Sequence, residues 1–353
     1  MNAAVDAIRA VLVPFLIGTG AVLALLVLHV LVLHALREVA FRRRRRLLAI
    51  YRPLVAAAFH DDDVEAAVSS LRSIPPRHRP VVAALVLEPL RALKGSITDR
   101  ARAAAQALGH VDKWEADLGE RRWWIRAEAA HALGLVRHTG VVQRLIAALD
   151  DPYEEVRAAA VEALGRIGDP SAIPVLAARL SAQSRHQRVR IVDALQQFGW
   201  AAVSPLLAHA DRHPEDAALV AELLASIEAP AAADRLREWC GHPDARVRAS
   251  AVRALGAIGV DDRTYYHVLR ALSDDAVDVR AAAAWTLGRS GRQDATPYLA
   301  PRLGDDWIVA AESARALRDL GGDGRRALEA AAALDGGELA RQVLWESGAA
   351  GPA

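Results

Sequence analysis

The residues able to do chemistry in this chain are sparse and scattered. His209, Asp211 and His213 alternate in a polar stretch before Pro214, a spacing that resembles a cluster of metal ligands. A tetrahedral site needs preorganised ligands, and alternate residues of a flexible turn, with no further ligand implied nearby, do not supply them. His60, Asp61, Asp62 and Asp63 also offer donors, but acids here suit the N-terminus of a following helix, Val64 to Ser73. Gly288-Arg289-Ser290-Gly291 lacks the strand and spacing of a nucleophile elbow. Gly321-Gly322-Asp323-Gly324 lacks the Lys-Ser/Thr of a phosphate loop. Both read as turns between helices. The single cysteine, Cys240, excludes an intrachain disulfide framework and a Cys-based zinc site. No catalytic, cofactor-binding or metal-ligating residue is therefore assigned, and a non-enzymatic role is expected.

A row of arginines is the most regular charged feature. Arg126, Arg157, Arg190, Arg248 and Arg280 occupy one position of a recurring pattern. Such a row could bind an anion. It could equally pair with aspartates of neighbouring turns, such as Asp151, Asp244 or Asp275, and tie repeats together. Periodic ionic ladders follow from stacking itself, so the structural role is the expectation.

The elements that position these residues are best seen in Asp151 to Leu180, DPYEEVRAAAVEALGRIGDPSAIPVLAARL. Asp151-Pro152 opens a helix as N-cap and first-turn proline. Val156, Ala160, Ala163 and Leu164 make its apolar face. Gly165 is placed at its end, where a left-handed residue is needed. Ile173, Leu176, Ala177 and Leu180 form the stripe of a second helix. Neither helix buries its stripe alone, so such hairpins must stack on one another. Copies begin at Asp99, Trp124, Val156, Val189, Val247, Val279 and Val309. The copy at Val189 departs by one residue. A stretch at Leu219 to Ile227 sits where another copy belongs but lacks the Val-Arg and the glycine. The array is assigned to 96–347, N-terminal capping helices to 61–95 and a tail to 348–353.

The pattern Val-Arg-x-x-Ala-x-x-Ala-Leu-Gly, followed by a helix ending in a leucine pair, resembles the bacterial HEAT-like repeats, including those of phycobilisome lyases. The resemblance spans about Ser96 to Leu320. It implies an all-α fold, a right-handed α-solenoid of helical hairpins. The composition agrees: alanine dominates the 353 residues, 53% are hydrophobic, and no run of alternating β-branched residues suggests a sheet. HEAT-repeat di-iron hydroxylases use His-Glu pairs, and this sequence has no His-Glu dipeptide. HEAT-like DNA glycosylases use a basic, aromatic-rich face, of which Arg121-Arg122-Trp123-Trp124 is the only local echo. The bilin lyases supply no motif that carries over residue by residue, and a lyase-type enzyme stands as an alternative.

The N-terminal region reads differently. From Val11 to Val32 there is no charged side chain, about the length needed to cross ~30 Å of hydrocarbon. Charge order speaks against a cleaved signal, since Arg37 and the run Arg42, Arg43, Arg44, Arg45 and Arg46 follow the apolar stretch instead of preceding it. The expectation is a transmembrane helix at 10–36 between a short extracytoplasmic N-terminus, 1–9, and a basic juxtamembrane helix, 37–60. The positive-inside rule then places the protein in the cytoplasmic (inner) membrane as a single-pass chain, N-terminus out and repeats in the cytoplasm. Gly20 and Ala24 form a small-xxx-small pair that could seat a partner helix, with His29 as an ionisable group beside it. The five arginines suit anionic lipid headgroups.

Partner recognition is assigned to surface. Trp123, Trp124, Trp200 and Trp307 sit near helix starts or ends, where tryptophan can act as a binding anchor. The net charge is +1, and without Arg42 to Arg46 the remainder carries −4, which argues against nucleic acid. The expected function is a membrane-anchored scaffold or accessory subunit that binds a membrane protein with a cytoplasmic domain. By resemblance of layout, that partner is a polysaccharide-synthesising glycosyltransferase. A sensor of anionic lipid or of the cell envelope is the other alternative.

Overall fold

The computed structural model describes residues 2–60, 64–91, 96–181, 184–334 and 337–349. Regular structure among them is helical throughout, with no strand. The chain divides into two compact units, Met1–Ala116 and Asp117–Ala353.

The first unit contains α1 (Asn2–His60), α2 (Val64–Leu71), α3 (Arg79–Leu87), α4 (Ser96–Ala107) and α5 (His110–Asp117). The end of α1 packs on α2, α3 and α4, burying Val55 and Ala58 with Leu71, Ile74, Val82 and Val86. Arg79 ties the turns together by donating to the carbonyls of Arg72, Ile74 and Leu108.

The expectation of a transmembrane anchor is corrected here. A single helix runs through both 10–36 and 37–60, yet among the described residues no helix is long and apolar enough to cross a membrane. The single-pass inner-membrane placement, with the N-terminus out and the repeats in the cytoplasm, falls with the anchor. The side chains of Gly20 and Ala24 lie outside the described residues. His29 is exposed on α1.

The second unit is an array of helical hairpins. In order they are α6 (Trp123–Leu135) with α7 (Val142–Ala148), α8 (Glu154–Ile167) with α9 (Ile173–Ala177), α10 (Arg185–Gln197) with α11 (Val203–Arg212), α12 (Ala217–Ile227) with α13 (Ala233–Trp239), α14 (Ala245–Ile258) with α15 (Asp262–Ala271), and α16 (Val277–Arg289) with α17 (Thr296–Leu299). Then α18 (Trp307–Leu320), α19 (Gly322–Ala332) and α20 (Glu338–Ala349) close it. Even-numbered helices from α6 to α18 form one layer, each packed on the next. Alanine and leucine fill the seam: Ala160, Ala163, Leu164, Ala194, Leu195, Ala254 and Leu255 are all buried.

Gly165 does not end its helix. It lies inside α8, and the left-handed cap is Gly168 at φ 75°, whose N–H donates to the Leu164 carbonyl. A Cβ on Gly165 would lie 2.8 Å from Ala194 Cα on α10. Gly134, Gly256 and Gly288 stand equally tight against Ala163, Thr286 and Ala316 of the following layer helix. The repeat glycine is thus a close-approach residue that brings two backbones together. Residue Ala194, by facing Gly165, fixes the register of α10. The position two residues later, where the glycine belongs, is Gln196, and it is exposed. A glutamine cannot serve a close crossing, and α10 and α12 make the loosest junction of the layer.

Candidate functional site

The arginine row is built as a ladder, and its geometry repeats. Arg126 grips Asp151 with Nε and Nη2 at 2.7 and 2.9 Å, and its Nη1 donates to the carbonyls of Glu120 and Arg121. Arg248 grips Asp274 at 2.8 and 2.7 Å and donates to the carbonyls of His242 and Pro243. Arg280 grips Asp305 at 3.0 and 2.7 Å and donates to the carbonyls of Asp274 and Asp275. Every donor face of each guanidinium is used, in pairs whose side chains are 10–18% exposed. Such forked, charge-assisted contacts are among the stronger polar interactions a protein makes. Asp274 and Asp305 also accept from the backbone N–H of Ala276 and Asp306. Their carboxyls are held below the ordinary aspartate range, chiefly by the guanidinium hydrogen bond and against burial.

Sequence spacing found the rungs but misassigned several partners. Asp151 is correct. Asp244 instead caps α14 and pairs with Arg246 of its own turn. Asp275 gives only its carbonyl, and Asp274 holds the rung. Arg190 is not the rung residue of its repeat. The crossing at Ala194 puts Arg188 there, evenly spaced after Arg126 and Arg157, and its Nε donates to the Leu180 carbonyl. Reading Val189-Arg190 as the repeat dipeptide caused the two-residue slip.

The aromatic residues gather at the start of this ladder. Trp123 and Trp124 open α6, with ring centroids 6.0 Å apart and edge to face. Tyr153, just before α8, stacks on Trp123 at 6.0 Å. Arg122 lies over Trp124 and Arg126 over Tyr153, at 5.9 and 5.8 Å. Trp124 is 51% exposed and Tyr153 47% exposed. These rings form one patch across two repeats, with cations on its edges. Tyr153 was missed in sequence, although it occupies the turn that α6 must meet. Trp200 and Trp307 are exposed too, at 70% and 68%, but they sit at the end of α10 and the start of α18, each away from this patch in sequence and in its ring contacts.

The fold gives His209 and Asp211 separate partners. His209 donates from Nε2 to the Asp216 carboxylate at 2.9 Å, and both are buried. Asp211 is paired with Arg235 instead, and His213 stacks on the His209 ring at 4.7 Å. Among the described residues no group of three or more His, Cys, Asp or Glu is placed to hold a metal ion. Asp216 lines a cleft of about 590 Å³ beside the loose α10–α12 junction, together with Arg188, Glu215, Glu222, Ser250 and Arg253. Cys240 is pushed up to about 12 by burial, which leaves it a thiol.

In the first unit, Arg42, Arg43, Arg44, Arg45 and Arg46 are all exposed on α1. Arg42 pairs with Glu38 at 2.8 Å, and Arg45 lies over the Phe41 ring.

A family model of HEAT repeats matches residues 111–196, 202–278 and 267–347. No curated protein matches the chain. Among solved structures, the complex of CpcE and CpcF of phycocyanin lyase from Nostoc sp. PCC7120 is similar at 22% identity and a TM-score of 0.31, covering 66% of this chain and 92% of that one. Human deoxyhypusine hydroxylase in complex with glycerol is similar at 20% identity and a TM-score of 0.28, covering 79% and 96%. An engineered protein is similar at 18% identity and a TM-score of 0.33, covering 83% and 86%. Helical hairpins joined by close-approach glycines and an arginine ladder, matched to that family over most of the chain, make this protein a member of the HEAT-repeat family.

Proposed function

We propose that this protein is a non-catalytic scaffold that docks another protein on the edge formed by the starts of α6 and α8. The observation that supports this is the patch of Trp123, Trp124 and Tyr153. Its rings stack on one another and on arginines, and Trp124 and Tyr153 stand about half exposed. Ala129, Ala130 and Leu133 of α6 are buried in the adjoining core, whereas Trp124 and Tyr153 stand outside it. Rigid aromatics flanked by arginine are the side chains that most often anchor protein interfaces. A repeat array holds such a patch on rigid elements while its turns remain free to vary.

Site-specific photo-crosslinking tests the reading. A benzoylphenylalanine at position 124, introduced in the native host, is expected to give a discrete crosslinked species, and one at the exposed Arg263 is not. The Trp123→Ala/Trp124→Ala double variant, probed from position 153, is expected to lose the product at unchanged thermal stability. Equal products from 124 and 263, or none from either, would sink the proposal.

A further inference from the structure

The ladder carries its own statement of what it binds. In three rungs the acceptor is a carboxylate, gripped by Nε and Nη2 and supplied 25 or 26 residues later. Arg157 has the same posture: its Nη1 donates to the carbonyls of Asp151 and Pro152 at 2.8 and 3.1 Å, as Arg126, Arg248 and Arg280 do with their own turns. The sequence has no acid between Asp169 and Asp193, so none stands 25 or 26 residues after Arg157. Among the described residues no carboxylate meets the Nε–Nη2 edge of Arg157.

The surroundings of Arg157 add charge of the same sign. Arg157, Arg179, Gln187 and Arg190 line one recess over Leu149 and Val161. Arg179 is committed to Asp150 at 2.8 Å. Arg190 is exposed and forms no ion pair among the described residues. Tyr153 of the aromatic patch lies on the same turn whose carbonyls hold Arg157.

We propose that Arg157, with Arg190 beside it, receives an aspartate or glutamate side chain of an acidic segment in the docked protein, which completes the ladder from outside. This inference rests on the scaffold reading and names the chemistry of its partner. A bidentate carboxylate fits the planar fork of the guanidinium, and the three complete rungs display that fit within the same fold. The apolar floor of Leu149 and Val161, with the neighbouring Trp123–Tyr153 stack, suits a peptide in which acidic residues flank an aliphatic one.

The test uses the full chain and a fluorescein-labelled hexa-aspartate peptide, with anisotropy read at low salt. Saturable binding is expected, weakened about tenfold by Arg157→Gln, the loss set by one charge-assisted contact. Because Arg157 also holds carbonyls, that variant can lose fold as well as binding. The second variant is Ala182→Asp, which restores an acid at the spacing of Arg126 to Asp151. It is expected to weaken the peptide by a similar factor while raising Tm. Arg263→Gln, an exposed charge elsewhere, is expected to leave binding unchanged. Equal loss in Arg263→Gln, no loss in Ala182→Asp, or displacement by equimolar inorganic phosphate would overturn the proposal, the last by showing a simple anion site. If the peptide fails to bind while the position-124 crosslink persists, only the acidic-partner inference falls. If the crosslink fails, the scaffold reading falls whatever the peptide does.

Discussion

Each rung of the ladder joins a residue of one repeat to the turn of the next, and its strength lies between two limits. Exposed ion pairs contribute about 0–1 kcal/mol, while breaking a buried pair costs about 3–5 kcal/mol. At 18% and 15% exposure, Arg248 and Asp274 stand nearer the buried limit. Arg248→Ala is expected to cost about 2 kcal/mol by urea unfolding, and a double-mutant cycle with Asp274→Ala to return a coupling above about 1 kcal/mol. The ladder also sets an acid sensitivity. Asp274 and Asp305 have folded-state values below their unfolded ones, so their stabilisation is present above the unfolded value, near about 3.9, and is lost as pH falls through the folded value. Urea midpoints should therefore decline below about pH 4, and less steeply in Arg248→Ala. The spacing of arginines was legible in sequence. The choice between Asp274 and Asp275 was not, since it depends on which carboxylate also caps the Ala276 N–H. The His209–Asp216 contact was hidden for a similar reason: residues seven apart meet only because α11 turns back onto α12 at Pro214.

A close glycine sets the packing at the α6–α8, α8–α10, α14–α16 and α16–α18 crossings. Gly165→Ala gains about 1 kcal/mol of helix propensity but drives a Cβ to 2.8 Å from the Ala194 backbone carbon, and overpacking of this kind costs about 1–3 kcal/mol. Net destabilisation is expected, visible as a lower Tm, whereas alanine at the open, left-handed Gly168 loses stability through backbone strain alone. Gln196 is the converse case. Hydrogen exchange should find amides of α10 and α12 opening more readily than those of α14 and α16, because the α10–α12 crossing lacks the close glycine. Uniform protection across the four helices would contradict that account. The hairpin pattern was readable because alanine and leucine recur at helical spacing. The role of the glycine was not, because a close approach and a helix end ask for the same residue type, and only the neighbouring helix tells them apart.

For the whole molecule, sequence established the class of architecture and misplaced the chain. Repeats that stack must expose one edge of every turn, so the array and its aromatic positions could be anticipated from Trp123-Trp124. The anchor could not be sustained, since among the described residues no helix is long and apolar enough to cross a membrane. The surface that distinguishes this array from a uniform one lies where the ladder lacks an internal acid and the rings emerge, around α6, α8 and α10. The most direct test is hydrogen–deuterium exchange of the protein alone and in the complex purified from its native host. The account predicts added protection at residues 120–126 and 151–158, around the aromatic patch and Arg157. Protection confined to other turns, with these two segments unchanged, would contradict it.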